Sequence, residues 1–261
     1  MTKNLISKLI NKPKDTTLDS RKFVKMLNSA YQNTNTIKEF KQKKTFAPST
    51  LGYGHGTCAR YWYIAFNGSE FTENIPAANI ASMKSGTDAH ERIEKLVETT
   101  GLLKQREREI KSIDPPIRGF ADLVLEINNE EIIGEIKTIK DQYFIQRKSE
   151  GSPSGSHLLQ LLIYMEVEGA KEGFILYENK NDNELLCLPI KMTERNKEYI
   201  DYVFDWMKKV YTEYQNDFLP KRGYTKSTWV CKNCPVSETC LSKDVGIEKI
   251  PNLKVGVDES L

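Results

Sequence analysis

The stretch Gly119-Phe-Ala-Asp-Leu-Val-Leu-Glu-Ile-Asn-Asn-Glu-Glu-Ile-Ile-Gly-Glu-Ile-Lys137 decides how this chain is read. Both flanks of Asn128-Asn129 are rich in β-branched and aliphatic residues, and the two asparagines suit a tight two-residue turn. Counting outward from that turn sets Asp122 directly opposite Glu135. Facing carboxylates repel each other and weaken a hairpin unless something cationic sits between them. Lys137 lies two residues beyond Glu135, so the strand period places it on the same face. Two acids and a lysine on one patch of sheet are what a divalent-metal hydrolytic site needs. A solvated polar face on an exposed sheet has the same pattern, and the hairpin alone does not separate the two readings.

At 261 residues, 39% hydrophobic and 28% charged, the chain can build one large domain or two small ones. No apolar run approaches the length needed to span a bilayer, and the N-terminus lacks the apolar core of a secretion signal. The expectation is a cytoplasmic protein with no membrane partner, its cysteines serving as thiols or metal ligands rather than disulfides. The formal charge of +2 conceals a division along the chain. Residues 1–46 hold eleven Lys or Arg against three Asp or Glu, a net of +8, while the remainder holds 27 against 33, a net of −6. A basic arm beside an acidic body points to a polyanionic partner held by salt-screened attraction. A solvated, lysine-rich helical arm has the same composition.

The arm has helical spacing at Phe23, Met26, Leu27 and Ala30, capped by Asp19 or Ser20, and residues 37–44 read as a second short helix. Residues 47–58 are broken by glycines and read as loop. A helix is expected over 82–99, a strand over 105–113, a break at Pro115-Pro116, and then the acidic hairpin. Residues 141–157 read as a mobile connection, 158–167 as an apolar helix, 173–177 and 185–190 as strands, and 194–214 as a long helix. The division expected is a basic helical arm (1–46), a body (47–241) and a loosely held tail (242–261).

Cys231-x2-Cys234-x5-Cys240 is a tight cluster, and three thiolates from one loop need a fourth ligand. Cys58 is the best-placed candidate, whereas Cys187 reads as a small buried hydrophobe in a strand. Zinc competes with iron and sulfide for such a site, although the paired short cysteine hairpins of simple zinc sites are missing. His90 flanks the apolar stripe of its helix and is either a satisfied core residue or an imidazole ligand, which would favour manganese. Gln160 and Tyr164 interrupt Leu158-Leu-Gln-Leu-Leu-Ile-Tyr-Met at a spacing of four, so they share one helix face. Gly52-x-Gly54-x-Gly56 lacks the context of a phosphate-binding loop, and His55 and His157 have no evident partner.

In chain order these pieces are Cys58-Ala-Arg60, Gly86-x3-His90, Gly119-x2-Asp122, Glu135-Ile-Lys137, Gln160-x3-Tyr164 and the cysteine trio. Together they resemble the PD-(D/E)xK nuclease superfamily, and within it the RecB-like nucleases with an iron–sulfur cluster. That group includes CRISPR-adaptation exonucleases, the AddB recombination subunit and phage relatives. The resemblance covers residues 50–241, with Ala121 in place of the proline that names the superfamily. It implies an α/β fold of restriction-endonuclease type, a mixed central sheet flanked by helices, with an iron–sulfur module joining the N- and C-terminal parts. It also implies that His90, Asp122, Glu135 and the Ile136 carbonyl hold Mg²⁺ or Mn²⁺, and that Lys137 positions or helps to deprotonate the attacking water. Gln160 and Tyr164 would then orient Lys137 and the DNA backbone, and Cys58, Cys231, Cys234 and Cys240 would carry a structural [4Fe-4S] cluster. Lys180, Arg60, Arg147 and Lys148 are candidate DNA contacts. The implied function is deoxyribonuclease, chiefly exonuclease, action on single strands or DNA ends in recombination, repair, phage DNA processing or CRISPR adaptation, with a protein partner or self-assembly open. The alternatives are a non-catalytic nucleic-acid-binding or assembly subunit and a zinc-stabilised DNA-binding protein.

Overall fold

In a computed structural model the described residues are 17–33, 38–72 and 76–256, so residues 1–16 and 34–37 of the arm and the end of the tail lie outside them. Helix α1 (Ser20–Asn33) starts where Asp19 Oδ1 accepts the N–H groups of Arg21 and Lys22, both at 3.0 Å. Residues 38–41, expected within a helix, form strand β1 (Lys38–Lys41), while Ile37 lies outside the described residues. Its partner is β2 (Ser69–Thr72), and this antiparallel pairing is set by a segment some thirty positions away that local periodicity cannot see. The expected loop over 47–58 contains two short helical turns, Pro48–Leu51 and Gly54–Thr57. They lead into α2 (Ala59–Asn67), which is buried on nearly every side.

Then come α3 (Ala77–Glu98), β3 (Leu103–Ser112), β4 (Ile117–Ile127) and β5 (Glu130–Ile139). Helices α4 (Asp141–Glu150) and α5 (Gly155–Glu168) follow, then β6 (Glu172–Asn179), β7 (Leu185–Lys191) and α6 (Glu194–Gln215). The main sheet has the order β3-β4-β5-β6-β7 and is antiparallel except for β5–β6. A parallel pair requires a crossover, and α4 and α5 supply it. The segment expected to be mobile is thus mostly helical. Its following loop is tied down, since Ser154 N and His157 Nδ1 lie 3.2 and 2.9 Å from the Tyr177 hydroxyl.

The turn between β4 and β5 is the one expected. Asn128 and Asn129 take φ of +54° and +64°, a left-handed pair that asparagine tolerates, and the ladder runs from Ile127–Glu130 to Leu123–Gly134. One sheet face packs Val124, Ile133 and Ile175 against α5 and, behind it, α2 and α6. The other packs Leu123, Ile136 and Phe174 against Ile93 of α3. Helices therefore cover both faces of a five-stranded mixed sheet.

The tail is not loose as far as Gly256. Ile250 and Leu253 are buried in the main core, Leu253 N donates to Thr57 O at 2.9 Å, and Trp206 Nε1 donates to Pro251 O at 2.8 Å. Cys187 is exposed on the edge strand β7, not buried as expected. Among the described residues no helix is long and apolar enough to cross a membrane.

Candidate active site

Just beyond the last paired position of the hairpin, β4 and β5 part, and the acidic residues lie in the gap. Asp122 Oδ2 accepts the Ile136 N–H at 2.7 Å, taking the place of a ladder bond. Glu135 faces α5 and is 1% exposed. Its Oε1 receives Lys137 Nζ and, at 2.6 Å, Gln160 Nε2, which also lies 3.2 Å from the Tyr164 hydroxyl. Its Oε2 has no hydrogen-bond partner. An unsatisfied buried carboxylate oxygen is costly, and it is the orphan a cation would satisfy. From the other layer His90 Nδ1 comes within 3.7 Å of Asp122 Oδ2. Residues from one strand pair and from helices on both sheet faces thus meet at one point.

The electrostatics follow from burial. Removal from water, with the neighbouring Asp122 charge adding, pushes the Glu135 carboxyl up to about 8 against the opposing pull of Lys137. Burial alone would lower the His90 pKa, but the hydrogen bond and charge of Asp122 outweigh it and the net shift is upward. Tyr164 is raised, first by burial and then by Glu135, and stays a neutral hydroxyl.

Gly119 permits this packing. A Cβ there would lie 2.8 Å from both Cε1 and the hydroxyl of Tyr164, whose ring is fully buried and cannot swing away. Gly119→Ala is expected to destabilise the protein by about 1–3 kcal/mol and to loosen Gln160, as thermal melting and cleavage rate would report.

Two carboxylates near the site were not among the sequence candidates. Glu94, one helical turn beyond His90, is buried, and its pKa is raised by burial, then by Glu107 and Asp122. Glu107 sits between Arg106 and Arg108, which pair with Leu123 and Ala121, so its place in β3 is opposite Asp122. It has φ of +49°, which strand patterning cannot signal. For Glu94 the clue was its spacing of four from His90.

The candidate DNA contacts divide. Lys180 borders a cavity of about 330 Å³ with Arg92 and Thr138, the latter next to Lys137 in sequence, and its Nζ lies 2.8 Å from Ser82 Oγ. Lys148 is exposed and pairs with Glu184 at 2.6 Å. Arg147 is mostly covered, bound to Pro153 O at 3.2 Å and to Glu150 at 2.9 Å. Arg60 must be corrected outright. It is 0% exposed, so a DNA phosphate cannot reach it. Its guanidinium donates to Pro220 O (2.8 Å), Asp244 O (2.6 Å), Val245 O (3.2 Å), Cys240 O (3.2 Å) and Cys240 Sγ (3.2 Å).

That clamp belongs to the cysteine region. Cys58, Cys231, Cys234 and Cys240 form no disulfide and are partly buried. Burial, with the charges of Cys58, Cys240 and Cys231 adding, pushes Cys234 up to about 12. Cys58 is raised by burial against hydrogen bonds from the backbone of Tyr61, Gly223 and Arg60. Four thiols close enough to feel one another's charge, with N–H groups aimed at sulfur, are a donor set suited to a thiolate-bound group. Cys187 is apart from them on β7. Among the described residues no three His, Cys, Asp or Glu side chains are drawn tightly enough together to hold a metal ion as they stand. His55 and His157 do have neighbours, the Tyr61 ring at 4.5 Å and the Tyr177 hydroxyl.

The chain matches no protein-family profile and no curated protein. Among solved structures it is similar to SSO0001, at 18% identity and a TM-score of 0.43, covering 86% of this chain and 98% of that one. It is also similar to the alkaline exonuclease LHK-Exo from Laribacter hongkongensis, at 14% identity and a TM-score of 0.44, covering 74% of this chain and 95% of that one. A phage-related exonuclease from Haemophilus somnus 129PT follows, at 15% identity and a TM-score of 0.37, covering 52% and 72% respectively.

Proposed function

We propose that this chain is a metal-dependent deoxyribonuclease acting on single strands or DNA ends. The observation that carries the reading is the orphaned Glu135 Oε2, buried beside Asp122, His90 and Lys137. A pure binding protein gains nothing from a buried carboxylate held against a second one. Asp122, Glu135, His90 and the Ile136 carbonyl would hold Mg²⁺ or Mn²⁺, which supplies Lewis-acid activation of a phosphodiester and its attacking water. Gln160, backed by Tyr164, fixes the Glu135 carboxylate, and Lys137 presents a cation where charge develops on the phosphate. Incubating the protein with end-labelled single- and double-stranded DNA, with and without Mn²⁺, tests this directly. No Mn²⁺-dependent product from either substrate would favour the non-catalytic binding subunit.

The raised Glu135 pKa gives the site a pH signature. Without metal, the folded state keeps this proton up to about pH 8, while the unfolded chain releases it near the ordinary value of 4.5. Metal-free stability should therefore fall as pH rises between those values, and Glu135→Gln should remove the fall. Because a cation must displace the proton, Mn²⁺ affinity should rise over the same interval. Calorimetric titration at pH 6 and pH 8 checks this, and an equal affinity at both would disconnect Glu135 from the metal.

We further infer that Cys58, Cys231, Cys234 and Cys240 hold an iron–sulfur cluster. Their chemistry as a mutually coupled thiol set beside a buried cation supports this reading. Colourless protein with stoichiometric zinc would overturn it.

A further inference from the structure

A cleft of about 920 Å³ lies between the paired strands β1 and β2, the Gly54–Thr57 turn, the start of α3 and the cysteine loop. Two aromatic rings open into it. Tyr53 is 59% exposed and Trp229 is 55% exposed, and their rings meet edge to face at 5.6 Å. Both stand on hydrogen-bonded backbone: Tyr53 N donates to Thr50 O at 3.1 Å, and Tyr53 O accepts from Gly56 N at 2.9 Å. Trp229 begins the short helix Trp229–Lys232, capped by Thr228, and Asn233 Nδ2 donates to its carbonyl at 2.8 Å. The indole also rests on Gly54, where a Cβ would come within 3.2 Å of the ring. Large flat side chains fixed in place and left open to water are characteristic of surfaces that bind a partner.

The charge around the rings selects the partner. Among the described residues the lining carries Lys41, Lys43 and Lys232 against one carboxylate, Glu238, which already pairs with Lys38 at 3.1 Å. Lys41 pairs with Glu39 at 3.3 Å, an exposed contact that a phosphate readily displaces. His55, lowered to about 4 by burial and by Lys43, stays neutral. Aromatic faces flanked by lysines suit a strand whose bases are free to stack while its phosphates meet ammonium groups. A duplex hides its base faces, so an intact double helix does not fit.

The cleft is also joined to the catalytic candidates. Pro76, Asn79 and Met83 line it from the start of α3. Further along the same helix Gly86 faces Thr138, and His90 reaches Asp122. From Met83 to His90 is seven residues, roughly 10 Å along the helix axis, so one extended strand can reach both.

We propose that Tyr53 and Trp229 form a base-stacking platform that holds single-stranded DNA leading to the Asp122–Glu135 site. This rests on the nuclease reading of that site but is tested apart from it. Trp62 and Trp206 are buried, at 0% and 5% exposure, so Trp229 is the tryptophan that DNA can reach. The full-length protein is titrated with a short oligothymidylate in EDTA, which prevents hydrolysis, and read by tryptophan emission and by anisotropy of a labelled strand. The expected result is quenching by the single strand that blunt duplex does not produce, absent in Trp229→Phe although that variant keeps most of its affinity. Trp229→Ala and Tyr53→Ala should each weaken single-strand binding about 5- to 100-fold. Melting curves identify any variant that has lost its fold, and the exposed Tyr53 provides the second, independent position. Unquenched emission, equal quenching by duplex, or unchanged affinity in both folded alanine variants overturns the platform. If the wild type still cleaves DNA, any of these results leaves the nuclease reading intact. Absence of both cleavage and binding removes the two together.

Discussion

Lys137→Ala is expected to reduce DNA cleavage by roughly 10²–10³-fold or more, with little change in thermal stability. The side chain is 21% exposed, so truncation opens no sealed cavity. What is lost is the cation bound to Glu135 Oε1, which on the proposed mechanism offsets charge developing on the phosphate. The Lys137 charge also holds the Glu135 pKa down, so in the metal-free variant Glu135 should keep its proton to a still higher pH. Asp122 needs a gentler substitution. Its Oδ2 satisfies the buried Ile136 N–H, so Asp122→Ala orphans a donor at a cost of about 1–3 kcal/mol. That cost opposes whatever is gained by relieving carboxylate repulsion. Asp122→Asn keeps an acceptor there and should lose cleavage with the fold intact. Wild-type turnover in either Lys137→Ala or Asp122→Asn would remove these residues from the mechanism.

Arg60→Met is expected to be the most destabilising single substitution, costing about 3–5 kcal/mol. The guanidinium is fully buried, and among the described residues its hydrogen-bond partners are backbone carbonyls and one sulfur. Removing it takes a donor from four carbonyls at once, that of Pro220 buried and those of Cys240, Asp244 and Val245 partly so. It also releases residues 220–245 from α2. The melting temperature should fall by roughly 10 °C, and Cys240 should become reactive to a thiol reagent. If a cluster is bound, its colour should fade in Arg60→Met and in Cys58→Ser but not in Cys187→Ser. Arg60→Lys should not rescue, because one ammonium cannot reach acceptors spread across a planar fork. Wild-type melting in Arg60→Lys would show that charge alone, not this fork, holds the loop.

The hairpin was legible because its information is local. Asn128-Asn129 sets the turn, the turn sets the register, and the register places Asp122 beside Glu135. Gln160 and Tyr164 were legible for a similar reason, as polar interruptions of an apolar helix that need partners. The misread features depend on distant residues. Strand β1 exists because β2 pairs with it. Arg60 in isolation looks like any surface arginine, and only residues 220–245 make it a buried clamp. The tail looked loose because its apolar residues follow no helix or strand period, yet Ile250 and Leu253 fit the core alongside α6. Glu107 was invisible because a left-handed residue within a strand leaves no trace in hydrophobic patterning.

The Arg60 clamp also bears on how the chain is made. Asp244, whose carbonyl receives the guanidinium, is 184 positions further on. At about 5–20 residues per second, a ribosome needs roughly 10–40 s to deliver it after Arg60 emerges. Throughout that interval α2 carries a cation bound for the interior whose acceptors do not yet exist. The nascent N-terminal part therefore cannot close its core around Arg60 early, and completion of the fold awaits synthesis of residues 220–245.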